Sequence, residues 1–137
     1  MKNSKRFNYQ QVESNFLQSN FLPMMPISLI RNGKTVESAG LLDTGSTVNL
    51  LPFSLGLELG AIWEEQMILP NLSGNLANFE ARGLAIKAKI SDFEAINLVF
   101  AWTKSDNVRL ILGQINFFAE YDVCFFRSQG FFEIKPK

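Results

Sequence analysis

Asp43-Thr44-Gly45-Ser46 puts a carboxylate, a glycine and two hydroxyls into four consecutive residues. A carboxylate fixed in such a turn can act as a general base towards water. Val36, Ala39, Leu41 and Leu42 read as a strand running into the motif, and Thr47-Val48-Asn49-Leu50-Leu51-Pro52 as an apolar way out of it. Asp and Gly at a strand end suit a tight turn in which Gly45 takes positive φ. A plain β-turn whose Asp caps its own backbone is the other reading these residues allow.

The chain has no histidine. Ser-His-Asp and Cys-His nucleophile systems, His-based zinc sites and imidazole bases are therefore excluded, and carboxylates must do any acid-base work. There is no glycine-rich phosphate loop and no metal-ligand cluster, so neither a cofactor nor a metal is expected. Lys+Arg and Asp+Glu balance at 13 each, which gives no basic field for nucleic acid or anionic lipid. No run is long enough to cross a bilayer, and polar residues from Asn8 to Ser14 follow the basic Lys2, Lys5 and Arg6 where a signal peptide would be apolar. The default expectation is a cytoplasmic protein without membrane partners.

A second segment, Val108 to Phe118, is an apolar strand that stops at a glycine, Ile111-Leu112-Gly113, and then changes to a short helical pattern. The sequence order is strand, Asp-Thr-Gly-Ser, long β segment, Ile-Leu-Gly, short helix and closing hairpin. In that order, from about Pro23 to Ile134, the chain resembles one lobe of the retropepsin-like aspartic proteases of single-lobe bacterial or cellular type.

The resemblance implies an all-β fold, a retropepsin-like acid-protease β-barrel lobe with one short helix after the Ile-Leu-Gly strand. In it Ile111, Leu112 and Gly113 thread beside the catalytic turn, the missing side chain of Gly113 letting two backbones approach. Asp43 is then the catalytic residue. It would activate water beside a second carboxylate holding a proton, and no second Asp-Thr-Gly or Asp-Ser-Gly occurs in the chain. The second Asp43 is expected from another copy, in a homodimer acting on a polypeptide substrate. By the same resemblance Thr44 bonds across the dimer and Gly45 supplies backbone contact near the carboxylates. Ser46 hydrogen-bonds one of them and so favours an acidic optimum.

At 137 residues, 47% hydrophobic and 19% charged, there is room for one ordinary globular core. Residues 1–22 read as a polar arm, loosely ordered, packed across a dimer or trimmed by the enzyme, with residues 23–137 as a single domain. The arm repeats Ser-Asn-Phe-Leu at 14–17 and 19–22. Asn32-Gly33 marks a hairpin that delivers Asp43. Phe53 to Ile62 reads as a short helical turn or a strand. Gln66 to Leu69 and Leu76 to Lys89 read as two strands, and the turn between them, Asn71, Leu72, Ser73, Gly74 and Asn75, is placed as the flap. Asp92, Asp106 and Asp122 read as turn or cap residues, Trp63 and Trp102 as core or pocket, and Cys124 as core. Val123 to Ile134 reads as a hairpin turning at Ser128 to Gly130, whose Phe-Phe pairs make both faces apolar.

The functional expectation is an aspartic endopeptidase cutting between hydrophobic residues. Two alternatives stay open: a catalytically silent retropepsin-like module that binds polypeptide, and an unrelated small barrel holding an apolar ligand.

Overall fold

A computed structural model of the chain describes residues 3–12, 20–69 and 80–137. The strands are β1 (Lys5–Asn8), β2 (Gln10–Val12), β3 (Asn20–Leu22), β4 (Met24–Arg31), β5 (Lys34–Leu42) and β6 (Asn49–Leu51). After helix α1 (Phe53–Glu58) come β7 (Met67–Ile68), β8 (Ala81–Lys89), β9 (Ile96–Thr103) and β10 (Ile111–Leu112). Helix α2 (Phe117–Glu120) then leads into β11 (Tyr121–Phe126) and β12 (Phe131–Pro136).

Asn32 and Gly33 take φ of 48° and 81°. A two-residue turn between right-twisted strands requires positive φ at both positions, and here it sets Arg31 of β4 opposite Lys34 of β5. From β5 the sheet continues through β10, β6, β9 and β8, and β8 returns to β4, closing a barrel of six strands. Closure pairs the strand edges that would otherwise be open to other chains. The pairings of β10 with β5 and of β6 with β9 are parallel. β10 thus lies between β5 and β6, two strands consecutive in sequence. The turn after β5 must therefore pass over the end of β10, and this places Asp43 beside Gly113.

Met25, Leu29, Leu51, Leu98, Phe100, Trp102, Leu112, Phe117 and Phe132 are fully buried in the main core. Trp102 stacks on Phe53, meets Trp63 edge-on and donates its indole N–H to the Phe53 carbonyl (3.1 Å), so both tryptophans are core residues. The 53–62 stretch, left open between helix and strand, begins as α1, a second helix besides the expected one. Asp106 Oδ1 accepts the Ser54 N–H (2.8 Å) at its first turn, a bond that helix starts need from outside.

β1, β12 and β11 form a smaller sheet against the barrel. Of the N-terminal arm β1 belongs to it, while β2 and β3 pair with each other as a separate two-stranded sheet; Phe7 stacks on Phe132, and Tyr9 is buried between Phe21 and Phe132. Lys5 bonds Asp92 (2.8 Å), and its ammonium holds that carboxyl below its ordinary value. Residues 14–17 and 19 of the repeated Ser-Asn-Phe-Leu pair lie outside the described residues.

The closing hairpin forms with its 3-10 turn at Arg127–Gln129. Strand alternation sends Phe132 and Ile134 into the core and leaves Phe131 and Phe126 outside. Those two rings stack at 4.8 Å, and the Arg6 guanidinium lies over Phe131 at 3.9 Å. Both faces carry phenylalanine, as the Phe-Phe pairs imply, but the outer pair is sheltered within the chain. Cys124 departs from expectation. It is exposed rather than core, because alternation along β11 puts it on the outer face with Asp122 and Phe126.

Candidate active site

Asp43 follows directly on β5, whose last residue, Leu42, is anchored in the core. Its backbone N–H donates to the Leu112 carbonyl (3.1 Å), and Leu41 donates likewise to Leu110 (2.9 Å), which fixes the approach to the motif against β10. Within the turn, the Gly45 N–H donates to Asp43 Oδ1 (2.9 Å) and the Ser46 N–H to the Asp43 carbonyl (3.1 Å). The carboxylate is thereby oriented by its own turn and is only partly buried. A base that must meet water and substrate needs both properties.

The exit from the turn is held just as firmly. Gln114 and Ile115 donate backbone N–H groups to the Ser46 and Thr47 carbonyls, each at 2.8 Å. Gly113 is what allows this approach. A Cβ there would run into the Val48 carbonyl oxygen and come within 2.7 Å of that of Ser46. Both neighbours are backbone and cannot swing aside, so Gly113→Ala is expected to cost about 3 kcal/mol of stability and to displace the Asp43 turn. Thermal unfolding checks this, with an unchanged melting temperature contradicting it.

Two side chains that sequence reasoning assigned no role complete the clamp. Asn49 is fully buried; its Oδ1 accepts the Gly113 N–H (2.8 Å) and its Nδ2 donates to the Val99 carbonyl (3.1 Å). Gln114 Nε2 donates to the Thr44 carbonyl (2.8 Å). The signal for Asn49 was present: one amide in an otherwise apolar strand must find partners when buried. Gln114 gave no such signal.

Two expectations about the turn need correction. Gly45 does not take positive φ; among the described glycines Gly33, Gly60 and Gly130 do. The turn closes through the Asp43 carboxylate instead, and a Cβ on residue 45 would crowd that oxygen at 3.3 Å. Ser46, expected to bond a catalytic carboxylate, donates its one hydroxyl proton to the Val48 carbonyl (2.8 Å). That proton is committed to holding the exit strand. Ser46→Ala is therefore expected to leave both limbs of an activity–pH profile in place and to lower stability by about 1 kcal/mol. A displaced alkaline limb would return the hydroxyl to the carboxylate.

Leu112 and Gly113 thus lie against the turn formed by Asp43, Thr44, Gly45 and Ser46, while Ile111 pairs with Leu41 and Leu50 beside it. The flap assignment, Asn71, Leu72, Ser73, Gly74 and Asn75, falls outside the described residues. Its flanks pair antiparallel, Met67 with Gly83 and Ile68 with Arg82. The other aspartates discussed bond elsewhere: Asp92 to Lys5, Asp106 to the Ser54 N–H and Asp122 to Lys135 (3.9 Å). Among the described residues no group of three or more His, Cys, Asp or Glu could hold a metal ion. A depression of about 610 Å³ beside Phe93 and Tyr121 does not include the Asp43 turn among its walls. Leu50, Ala81 and Ala101 form a second, small buried cluster, with the partly buried Val48, Leu69, Val108 and Ile111 packed against it.

No family model and no curated protein matches the sequence. Solved structures do match the fold. A retropepsin-like aspartic protease from Rickettsia conorii aligns with a TM-score of 0.64 at 13% identity, over 97% of this chain and 92% of that one. The EIAV protease complexed with the inhibitor HBY-793 aligns with a TM-score of 0.53 at 20% identity, over 74% of this chain and 88% of that one. The shared property is the fold: a single-lobe retropepsin-like barrel.

Proposed function

We propose that this chain, with its retropepsin-like fold, is an aspartic endopeptidase that works as a homodimer with one Asp43 from each copy. The observation that carries the reading is the Asp43 turn itself. Its carboxylate is partly exposed and oriented by the Gly45 N–H, and its backbone N–H is held by the Leu112 carbonyl of β10. One carboxylate is half of the machinery that peptide hydrolysis by this route needs.

Two such carboxylates brought together across a twofold axis share one proton, because both cannot ionise cheaply at close range; this sharing is the known behaviour of aspartic-protease pairs. The ionised member takes a proton from water while the protonated member donates to the scissile carbonyl. Water attacks directly and no acyl-enzyme forms. Activity then follows a bell in pH, with its optimum below neutrality and both limbs belonging to the pair. The exposure of Thr44 at the tip of the turn, with its carbonyl held by Gln114, supports a contact with its counterpart across the dimer. The partly exposed apolar residues Val48, Leu69, Val108 and Ile111, packed over the buried Leu50, Ala81 and Ala101, support hydrophobic side chains on both sides of the cut.

Digestion of a denatured protein across pH, with and without a statine-type transition-state mimic, tests the reading. Cleavage at acidic pH that the mimic suppresses is expected, mapping to bonds between hydrophobic residues. Binding of the polypeptide without cleavage would instead favour the silent module.

A further inference from the structure

The segment that grips the exit from the Asp43 turn ends in a residue bent against its own backbone preference. Asn116, between Ile115 and α2, takes φ 84° and ψ −56°. This is the γ-turn region of positive φ, rare and strained for a residue that carries a Cβ, and it persists only where the surroundings over-determine it. An asparagine before a helix ordinarily bonds the free N–H groups of the first turn. Asn116 makes no such bond. The Phe118 N–H goes to the Gly113 carbonyl instead (3.2 Å), which closes the chain from Gly113 to Phe118 into a tight reversal.

The Asn116 amide reaches across to β9. Its Oδ1 accepts the Val99 N–H (2.6 Å) and its Nδ2 donates to the Asn97 carbonyl (3.2 Å). β6 pairs with β9 from Phe100 to Trp102, so residues 97–99 lie ahead of its first residue. A planar amide offers one donor and one acceptor as a peptide unit does, and here it stands where a further strand residue would. The Val99 carbonyl is taken by Asn49, whose Oδ1 holds the Gly113 N–H. Both ends of the reversal are therefore fastened to one residue of β9, Asn116 directly and Gly113 through Asn49. Between those ends, the Gln114 and Ile115 N–H groups reach the Ser46 and Thr47 carbonyls. Releasing Asn116 frees one end of that span and lets the strained φ relax.

We infer that Asn116 is a positioning residue for the Asp43 turn: its two bonds to β9 hold the strained reversal that aims the Gln114 and Ile115 N–H groups at the exit of the turn. The inference rests on the protease reading above and deepens it, making the geometry of the catalytic turn depend on a side chain that does not bond the carboxylate.

N116A removes both bonds, N116G removes the strain as well, and N116D keeps an acceptor for Val99 while losing the donor to Asn97. Each variant is compared with the native chain by amide hydrogen exchange and, at chain concentrations that keep dimers formed, by kcat and KM on one hydrophobic peptide. In N116A the Gln114 and Ile115 amides are expected to exchange about tenfold faster, with the amides of the β8–β9 ladder at native rates. A loss of global stability alone would speed all of them together. The kcat is expected to fall about tenfold with KM within about twofold, since a misplaced carboxylate slows attack by water more than it weakens substrate binding. N116G should behave as N116A does, and N116D should recover part of the loss. Native exchange at Gln114 and Ile115 in N116A, or a native kcat in folded N116A or N116G, overturns this inference and leaves the protease reading intact. A native chain that cuts no peptide overturns the protease reading, and the exchange rates then still decide whether Asn116 holds the turn.

Discussion

Asp43→Asn is expected to lower peptide hydrolysis by about 10⁴-fold while leaving fold and dimer in place. The amide keeps an oxygen that can accept the Gly45 N–H, so the turn retains the bond that shapes it. It can neither take a proton from water nor hold one for the carbonyl. Histidine is absent from the chain, and the three other aspartates, Asp92, Asp106 and Asp122, bond elsewhere, which leaves no second aspartate to stand in. Kinetics on a hydrophobic peptide, paired with thermal unfolding, check the two halves of the statement. Retained hydrolysis, with contaminating protease excluded, would remove Asp43 from the mechanism. Loss of folding would make the turn structural instead.

Activity per chain is expected to fall on dilution. When a site needs two copies, active species form as the square of the chain concentration once dimers dissociate. Each tenfold dilution below the dissociation constant then lowers activity per chain by about tenfold, and thermal stability falls with it by mass action. The small β1-β12-β11 sheet does not by itself demand a partner, since Phe126 and Phe131 are sheltered by each other and by Arg6. The demand comes from the half-site. Constant activity per chain, with light scattering reporting monomer alone, would contradict it.

What the sequence discloses about this site divides by physical cause. The Asp43 turn and Gly113 were legible because each is a residue type with few substitutes: a carboxylate at a strand end, and a glycine where a Cβ would strike the Val48 carbonyl. The hairpin at Asn32-Gly33 was legible because two successive positive φ values leave few residue choices. Asn49 and Gln114 act on partners 64 and 70 residues away, and such pairings depend on which strand the fold inserts between β5 and β6. Ser46 was misjudged because a hydroxyl can point to several acceptors, and the choice of Val48 is set by local geometry. Cys124 was misplaced because a strand with phenylalanine on both faces hides which alternate set is buried.

The central claim is that one active site takes Asp43 from two chains, and subunit mixing tests it most directly. Native protein and Asp43→Asn are combined at fixed total concentration under conditions that let subunits exchange, and initial rates are followed against the native fraction. Mixed dimers carry one competent carboxylate and are inactive, so the rate should follow the square of that fraction, about one quarter of the full rate at equal amounts. A rate that declines in simple proportion, to about one half at equal amounts, would show that each chain carries a complete site and would contradict the account.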